Sequence, residues 1–210
     1  MKTKLIISLI LSILSLLYLF LNFYGFDRYF KLNIKSVEFY TEKIKNIPNS
    51  KDRIIVVFEY QDKIKKAFIN SILDQNIRPD EICIIIPSDK KNLIPSNLKN
   101  ILTIYGFIKD YKEFNSILYP ILKEPDSKTK ILILNPTLVY GEDFLSYMIE
   151  KSDQNPNKII YVNGHKESQG ILITPNNLTI DLCDNIEKCK SQWLLKNHNN
   201  IISTNYTDII

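Results

Sequence analysis

Glycine is scarce in this chain, with 5 in 210 residues. Loops that cradle phosphate groups need glycine, for positive φ and for close backbone approach. The scarcity therefore argues against a glycine-built phosphate loop. Histidine is scarcer still: the 2 present, His165 and His198, stand apart from each other. The 3 cysteines include no C-x-x-C pair, which together with the isolated histidines argues against a zinc site. The chain is long enough to bury a core without a disulfide framework. A large excess of positive charge is also lacking. Lys+Arg 27 against Asp+Glu 23 gives a formal +4, and the excess is scattered. No basic tract with interleaved aromatics occurs, which excludes a nucleic-acid stripe. There is no internal repeat and no low-complexity segment.

Apolar residues are plentiful at the start of the chain. Leu5 to Tyr24 (LIISLILSILSLLYLFLNFY) carries no charge. About 20 such residues suffice to span a bilayer. A cleaved signal peptide has a shorter apolar core and small residues at its cut site. Here Leu, Phe and Tyr continue to the end, so the run reads as an uncleaved anchor in contact with membrane lipid. A signal peptide and a buried core helix are the alternatives. Tyr18, Phe20, Phe23, Tyr24 and Phe26 fit an aromatic belt at one interface. Lys2 and Lys4 precede the run, and Arg28, Lys31 and Lys35 follow it. Flanking charge therefore does not decide orientation. A type II arrangement is expected, with a lumenal C-terminal domain. Cys183 and Cys189 then face an oxidising space, where they are either a disulfide or two free thiols. The sequons Asn177-Leu-Thr179 and Asn205-Tyr-Thr207 agree with that placement.

The rest of the chain divides into a stem over 27–51 and a domain over 52–210, with the anchor over 1–26. The stem is expected to hold a helix around Ser36 to Ile47, ended by Pro48-Asn49-Ser50. Short apolar runs mark buried strands at Arg53–Tyr60, Glu81–Pro87, Ile101–Ile108, Lys130–Leu134, Lys158–Asn163 and Gly170–Thr174. Helical spacing falls at Asp62–Gln75, after Pro95, at Tyr111–Lys123 and at Glu142–Lys151. Cys83 lies inside an apolar strand and reads as core. Strands of continuous apolar character alternating with helices predict a mostly parallel α/β sheet covered on both faces. Ligands of such sheets sit beyond the carboxyl ends of the strands. That places Glu59-Tyr60-Gln61, Ser88-Asp89 and Asn135-Pro136-Thr137 at the site.

Several ordered segments carry a resemblance. Ala67-Phe-Ile-Asn-Ser71-Ile-Leu-Asp-Gln75-Asn-Ile-Arg-Pro79-Asp80-Glu81-Ile82, running into the strand that ends at Pro87, resembles the first helix and second strand of family 2-like glycosyltransferases. Lys130 to Leu145 (KILILNPTLVYGEDFL) is similar to the segment where those enzymes place an Asp-rich metal motif, then a Tyr and a helix. Asn163-Gly164 after the next strand fits the same frame. Lys188 to Leu195 resembles their late segment with Cys, an acidic pair and an aromatic-led helix. The resemblance covers roughly residues 52 to 202.

It implies a GT-A fold, a Rossmann-like sheet that binds a nucleotide sugar and transfers the sugar to an acceptor hydroxyl. It also implies a divalent cation, Mn or Mg, on the diphosphate, and a carboxylate base on the acceptor. Carried over residue by residue, the chemistry thins out. Asn135 and Thr137 stand at the metal-motif positions, and neither is anionic. Asp110-Tyr111 survives from an Asp-aromatic pair, without the Gly-Pro and Lys that follow it in the family. The late acidic pair aligns with Lys190-Ser191 or Ser191-Gln192, again without a carboxylate.

The candidate nucleotide contacts are Tyr60, Asp89 and Asp110. Glu142 and Asp143 past the turn, Asp184 and Glu187 near the late segment, and His165 are the local substitutes. Glu142 and Asp143 also suit a helix N-terminus on dipole grounds alone. The expectation is a catalytically impaired glycosyltransferase-like protein, or a noncatalytic partner of an active transferase.

Overall fold

The computed structural model describes residues 2–23, 26–108, 115–124, 126–162, 169–177 and 201–207. The helices are α1 (Lys2–Phe23), α2 (Phe26–Ile34), α3 (Val37–Lys45), α4 (Lys66–Leu73), α5 (Ser96–Lys99), α6 (Asn115–Lys123) and α7 (Phe144–Gln154). The strands are β1 (Ile54–Glu59), β2 (Glu81–Pro87), β3 (Thr103–Phe107), β4 (Lys130–Leu134), β5 (Ile159–Val162), β6 (Gly170–Ile173) and β7 (Ile201–Thr204).

All seven strands join one sheet in the order β3-β2-β1-β4-β6-β5-β7. Pairing is parallel throughout, except that β6 runs antiparallel to both β4 and β5. The expected mostly parallel α/β sheet is therefore present. The chain builds outward from β1 to β2 and β3, then returns to place β4 on the other side of β1. This reversal puts a topological switch point between β1 and β4, where ligands of open α/β sheets bind.

Strand β1 shows why the sheet is covered on both faces. Ile54, Val56 and Phe58 pack into one core with Phe68, Ile72, Tyr140, Phe144 and Met148. Ile55 and Val57 point the other way, to Cys83, Ile85, Ile131 and the apolar residues of α6. Alternating side chains that are all buried read as an unbroken apolar run, so the strands were visible in the sequence.

The stretch expected as a stem supplies part of the first core. Leu32, Val37, Tyr40 and Ile44 are all buried there. The spacing 37, 40, 44 places three of them on one face of α3, opened by the Ser36 hydroxyl accepting from Phe39 N–H at 3.3 Å. Asn70 of α4 donates to the carbonyls of Leu32 and Lys35, and Lys66 to that of Ile34. These bonds satisfy carbonyls at the end of α2 that lack intrahelical partners. Arg28 joins the same block, with Nε 2.9 Å from the nearly buried Asp74 and a guanidinium N–H on the Tyr140 carbonyl at 2.6 Å.

The expected anchor forms α1, a helix of 22 residues. Ile6, Leu9, Ile13, Leu16 and Tyr18 on it are exposed. Among the described residues, no helix is long and apolar enough to cross a membrane.

Candidate functional site

Two buried or bonded side chains, one just past α4 and one in the loop before β2, close the backbone around the central strands. Gln75 is buried. Its amide N–H groups reach the Ser71 and Gly141 carbonyls at 2.7 and 2.6 Å, and its Oε1 accepts from Leu145 N–H at 2.9 Å. One side chain thus ties the end of α4 to the first turn of α7, where backbone donors lack intrahelical partners. Asp80 does similar work at the amino end of β1, at the opposite end of the strand from the switch point. Its carboxylate accepts from Ile54 N–H at 2.8 Å, and its own N–H donates to the Ile54 carbonyl at 2.9 Å. The Gln and Asp-Glu-Ile positions of the sequence pattern are therefore positions of backbone closure.

The turn after β4 is closed on itself. Leu138 N–H donates to the Asn135 carbonyl at 3.2 Å, with Pro136 in the second turn position, where its fixed φ is favourable. The Asn135 side-chain oxygen accepts from Thr137 N–H at 3.0 Å and from the Thr137 hydroxyl at 2.7 Å. Tyr140, at 1% exposure, lies beneath the turn. Its hydroxyl accepts from Asn135 N–H at 2.8 Å and faces the carbonyls of Asn135, at 3.2 Å, and Gln169. Burial pushes the Tyr140 phenol well above its ordinary range, offset in part by the Asn135 N–H.

The donor set does not suit the divalent cation that the resemblance implies. Asn135 and Thr137 bring no charge, and the Asn135 oxygen already accepts two hydrogen bonds. Hard cations are held chiefly by carboxylates. Among the described residues, no group of three or more His, Cys, Asp or Glu side chains is placed to hold a metal.

The other expected residues are partly brought together. Register pairs Phe58 with Leu134, which sets Glu59 beside Asn135 at the switch point. The Glu59 carboxylate accepts from Ser116 N–H at 3.2 Å, at the start of α6. Tyr60 is half-buried, and its N–H donates to the Ile85 carbonyl at 2.8 Å. Asp89 is exposed in the first turn of the 3-10 helix Ser88–Leu93. The same helix carries Lys90, whose ammonium lies 5.9 Å from the Tyr60 ring centre and 3.7 Å from Asp62. Its neighbour Lys91 lies across Gly106 of β3, so close that a Cβ there would stand 1.9 Å from Cε. Lys65, just before α4, donates to the Thr137 carbonyl at 3.0 Å.

These three lysines were not singled out in the sequence, where Lys90-Lys91 directly after an apolar strand was the available signal. Glu142 and Asp143 are exposed just before α7, and Asp143 makes no side-chain cap. It accepts instead from the Tyr206 hydroxyl. Asp110, His165, Asp184, Glu187, Cys183, Cys189, Asn163-Gly164 and the late segment 188–195 lie outside the described residues.

A cavity of about 370 Å³ opens at the amino-terminal end of the sheet, between Arg53, Ile55, Glu81, Tyr105 and the end of α6. Arg53 bridges Glu81 and Glu124 across it at 2.7 and 2.9 Å. It lies at the amino ends of β1 and β2, away from the switch point.

No family model and no curated protein matches the sequence. Solved structures do match. Staphylococcus aureus TarS aligns with a TM-score of 0.53 at 12% identity, over 75% of this chain and 36% of that one. The 4-diphosphocytidyl-2C-methyl-D-erythritol synthase of Anaerococcus prevotii aligns with a TM-score of 0.50 at 9% identity, over 73% of this chain and 87% of that one. The likeness shows the fold. It is a Rossmann-like α/β sheet flanked by helices, shared with a diphosphocytidyl synthase and with about a third of TarS.

Proposed function

We propose that this chain is a glycosyltransferase-like domain that binds a nucleoside diphosphate or nucleotide sugar at the switch point and has lost metal-assisted sugar transfer. The observation that carries the reading is the Asn135–Leu138 turn, in which an uncharged oxygen bonds Thr137 at the position where the family resemblance calls for metal carboxylates. Lysines stand nearby where a metal would otherwise offset diphosphate charge. Lys65 is bonded at the turn, and Lys90 and Lys91 lie along the ends of β2 and β3. Tyr60 offers a ring for a nucleobase, with Asp89 on the adjoining helix as a polar contact; Asp110 is the third candidate. The filled space under the turn also favours a second reading, a noncatalytic partner of an active transferase.

The membrane reading belongs to the same proposal. The uncharged run Leu5–Tyr24 and the exposed apolar residues of α1 support a single-pass anchor, and a lumenal domain is proposed with it.

Calorimetric titration of the full chain in detergent with nucleoside diphosphates tests the binding. Saturable binding that survives EDTA and falls with Lys90→Ala/Lys91→Ala supports it. No heat from uridine, cytidine, guanosine or adenosine diphosphate removes the nucleotide and leaves the partner reading.

A further inference from the structure

Helix α2 presents an apolar stripe to solvent while its other face is locked to the domain. Phe30 is 53% exposed and Ile34 73% exposed, four residues apart and so on one face. Phe39, at the start of α3, is 50% exposed beside them. The opposite face carries buried Leu32 and the Arg28 that binds Asp74. Lysines border the stripe. Lys31 pairs with Asp27 at 2.5 Å, the Lys35 ammonium stands 5.2 Å from the Phe39 ring centre, and Lys66 reaches the Ile34 carbonyl. The exposed acids of this region are Asp27, on α2 and paired with Lys31, and Glu38 and Glu42 on α3. Adjoining exposed aromatic and aliphatic side chains mark an interaction surface rather than ordinary scatter. Aromatic and basic residues together on a short amphipathic helix suit the headgroup boundary of an anionic bilayer.

We infer that the Phe30–Ile34–Phe39 face seats the domain on the lipid surface, so that α2 lies in the bilayer interface. Continuity argues for lipid over protein as the occupant, because α2 begins three residues after α1 ends. The inference rests on the reading of α1 as an anchor and adds a fixed domain orientation to it. Asn70, Lys66 and Arg28 hold α2 against α4 and the Tyr140 carbonyl, so the switch point keeps one pose relative to the membrane.

The test uses the full chain with Trp193→Phe, reconstituted in phosphatidylcholine–phosphatidylglycerol vesicles. Phe30→Trp, Ile34→Trp and, as a solvent-facing control, Lys128→Trp each introduce one indole. The expected result is loss of emission from the first two with brominated phosphatidylcholine, and from the third only with aqueous iodide. Quenching of both α2 indoles by iodide and not by brominated lipid overturns the inference. Shielding from both quenchers overturns it too, in favour of a protein contact. An alkaline carbonate wash separates the two claims. Release of the chain from the vesicles defeats the anchor reading and this inference with it, whereas retention with water-exposed indoles defeats only this inference.

Discussion

Tyr140→Phe isolates the closure of the turn from the packing beneath it. The ring would keep its place against Phe68 and Phe144, whose centres lie 6.2 and 4.6 Å away. Only the hydroxyl is lost. With it go the acceptor for Asn135 N–H and the single donor shared by the Asn135 and Gln169 carbonyls. Both partner residues are half-buried, so water replaces the lost bonds only in part. A lost hydrogen bond of this kind costs about 1 kcal/mol net, and a buried group left unpaired about 1–3 kcal/mol. Removing the desolvation of the hydroxyl itself offsets some of this, leaving roughly 2 kcal/mol. For a domain of this size that corresponds to a fall in Tm of about 4–8 °C. Thermal unfolding followed by near-ultraviolet circular dichroism in detergent reads the shift, and a urea titration should show a lower midpoint at unchanged slope. A Tm within about 1 °C of the unmodified chain would show that the hydroxyl does not hold the turn.

Gln75→Leu keeps the volume but strips three bonds to α4 and α7, and should cost about 2–4 kcal/mol, measured as a urea midpoint shift. Alkaline pH should weaken the fold through Cys83 and Tyr140. Burial holds both in their protonated forms, and for Cys83 the neighbouring Glu81 charge adds to the effect. The unfolded chain releases these protons from the ordinary values of 9.0 and 10.0, while the folded chain retains them. The contribution of these two groups is thus flat below about pH 9 and falls above it, by up to ~1.4 kcal/mol per pH unit for each group. Cys83→Val should delay the onset by about one pH unit in denaturation curves, and an unchanged onset would refute the assignment. Asn135→Asp with Thr137→Asp should confer no manganese-dependent turnover, because the resemblance puts Lys190-Ser191 or Ser191-Gln192 where the carboxylates that supply the base would stand.

The strands were legible where their side chains are buried on both faces. Glu81–Pro87 and Lys130–Leu134 match the apolar runs end to end. Direction was not legible, because the pattern of β6 is the same whether it runs with or against its neighbours. Strand β7 was missed, since four residues that are half-buried or exposed give no continuous apolar signal. Helix α4 begins at Lys66 and not near Asp62, because Lys65 is held extended at φ −74, ψ 127. The role of 26–45 in the core was obscured by the charges interleaved with Leu32, Val37, Tyr40 and Ile44. At the site, the missing carboxylates were visible as letters. That Asn135 bonds Thr137 and that Tyr140 fills the space below depended on how the turn folds.

Turnover assay of the unmodified full chain, with a panel of nucleotide sugars and manganese, decides whether metal-assisted sugar transfer is lost. The expected result is no release of nucleoside diphosphate above the protein-free control, at any donor and with or without the metal. Saturable, manganese-dependent release would contradict it, and would mean that carboxylates beyond the closed Asn135–Leu138 turn complete a working metal site.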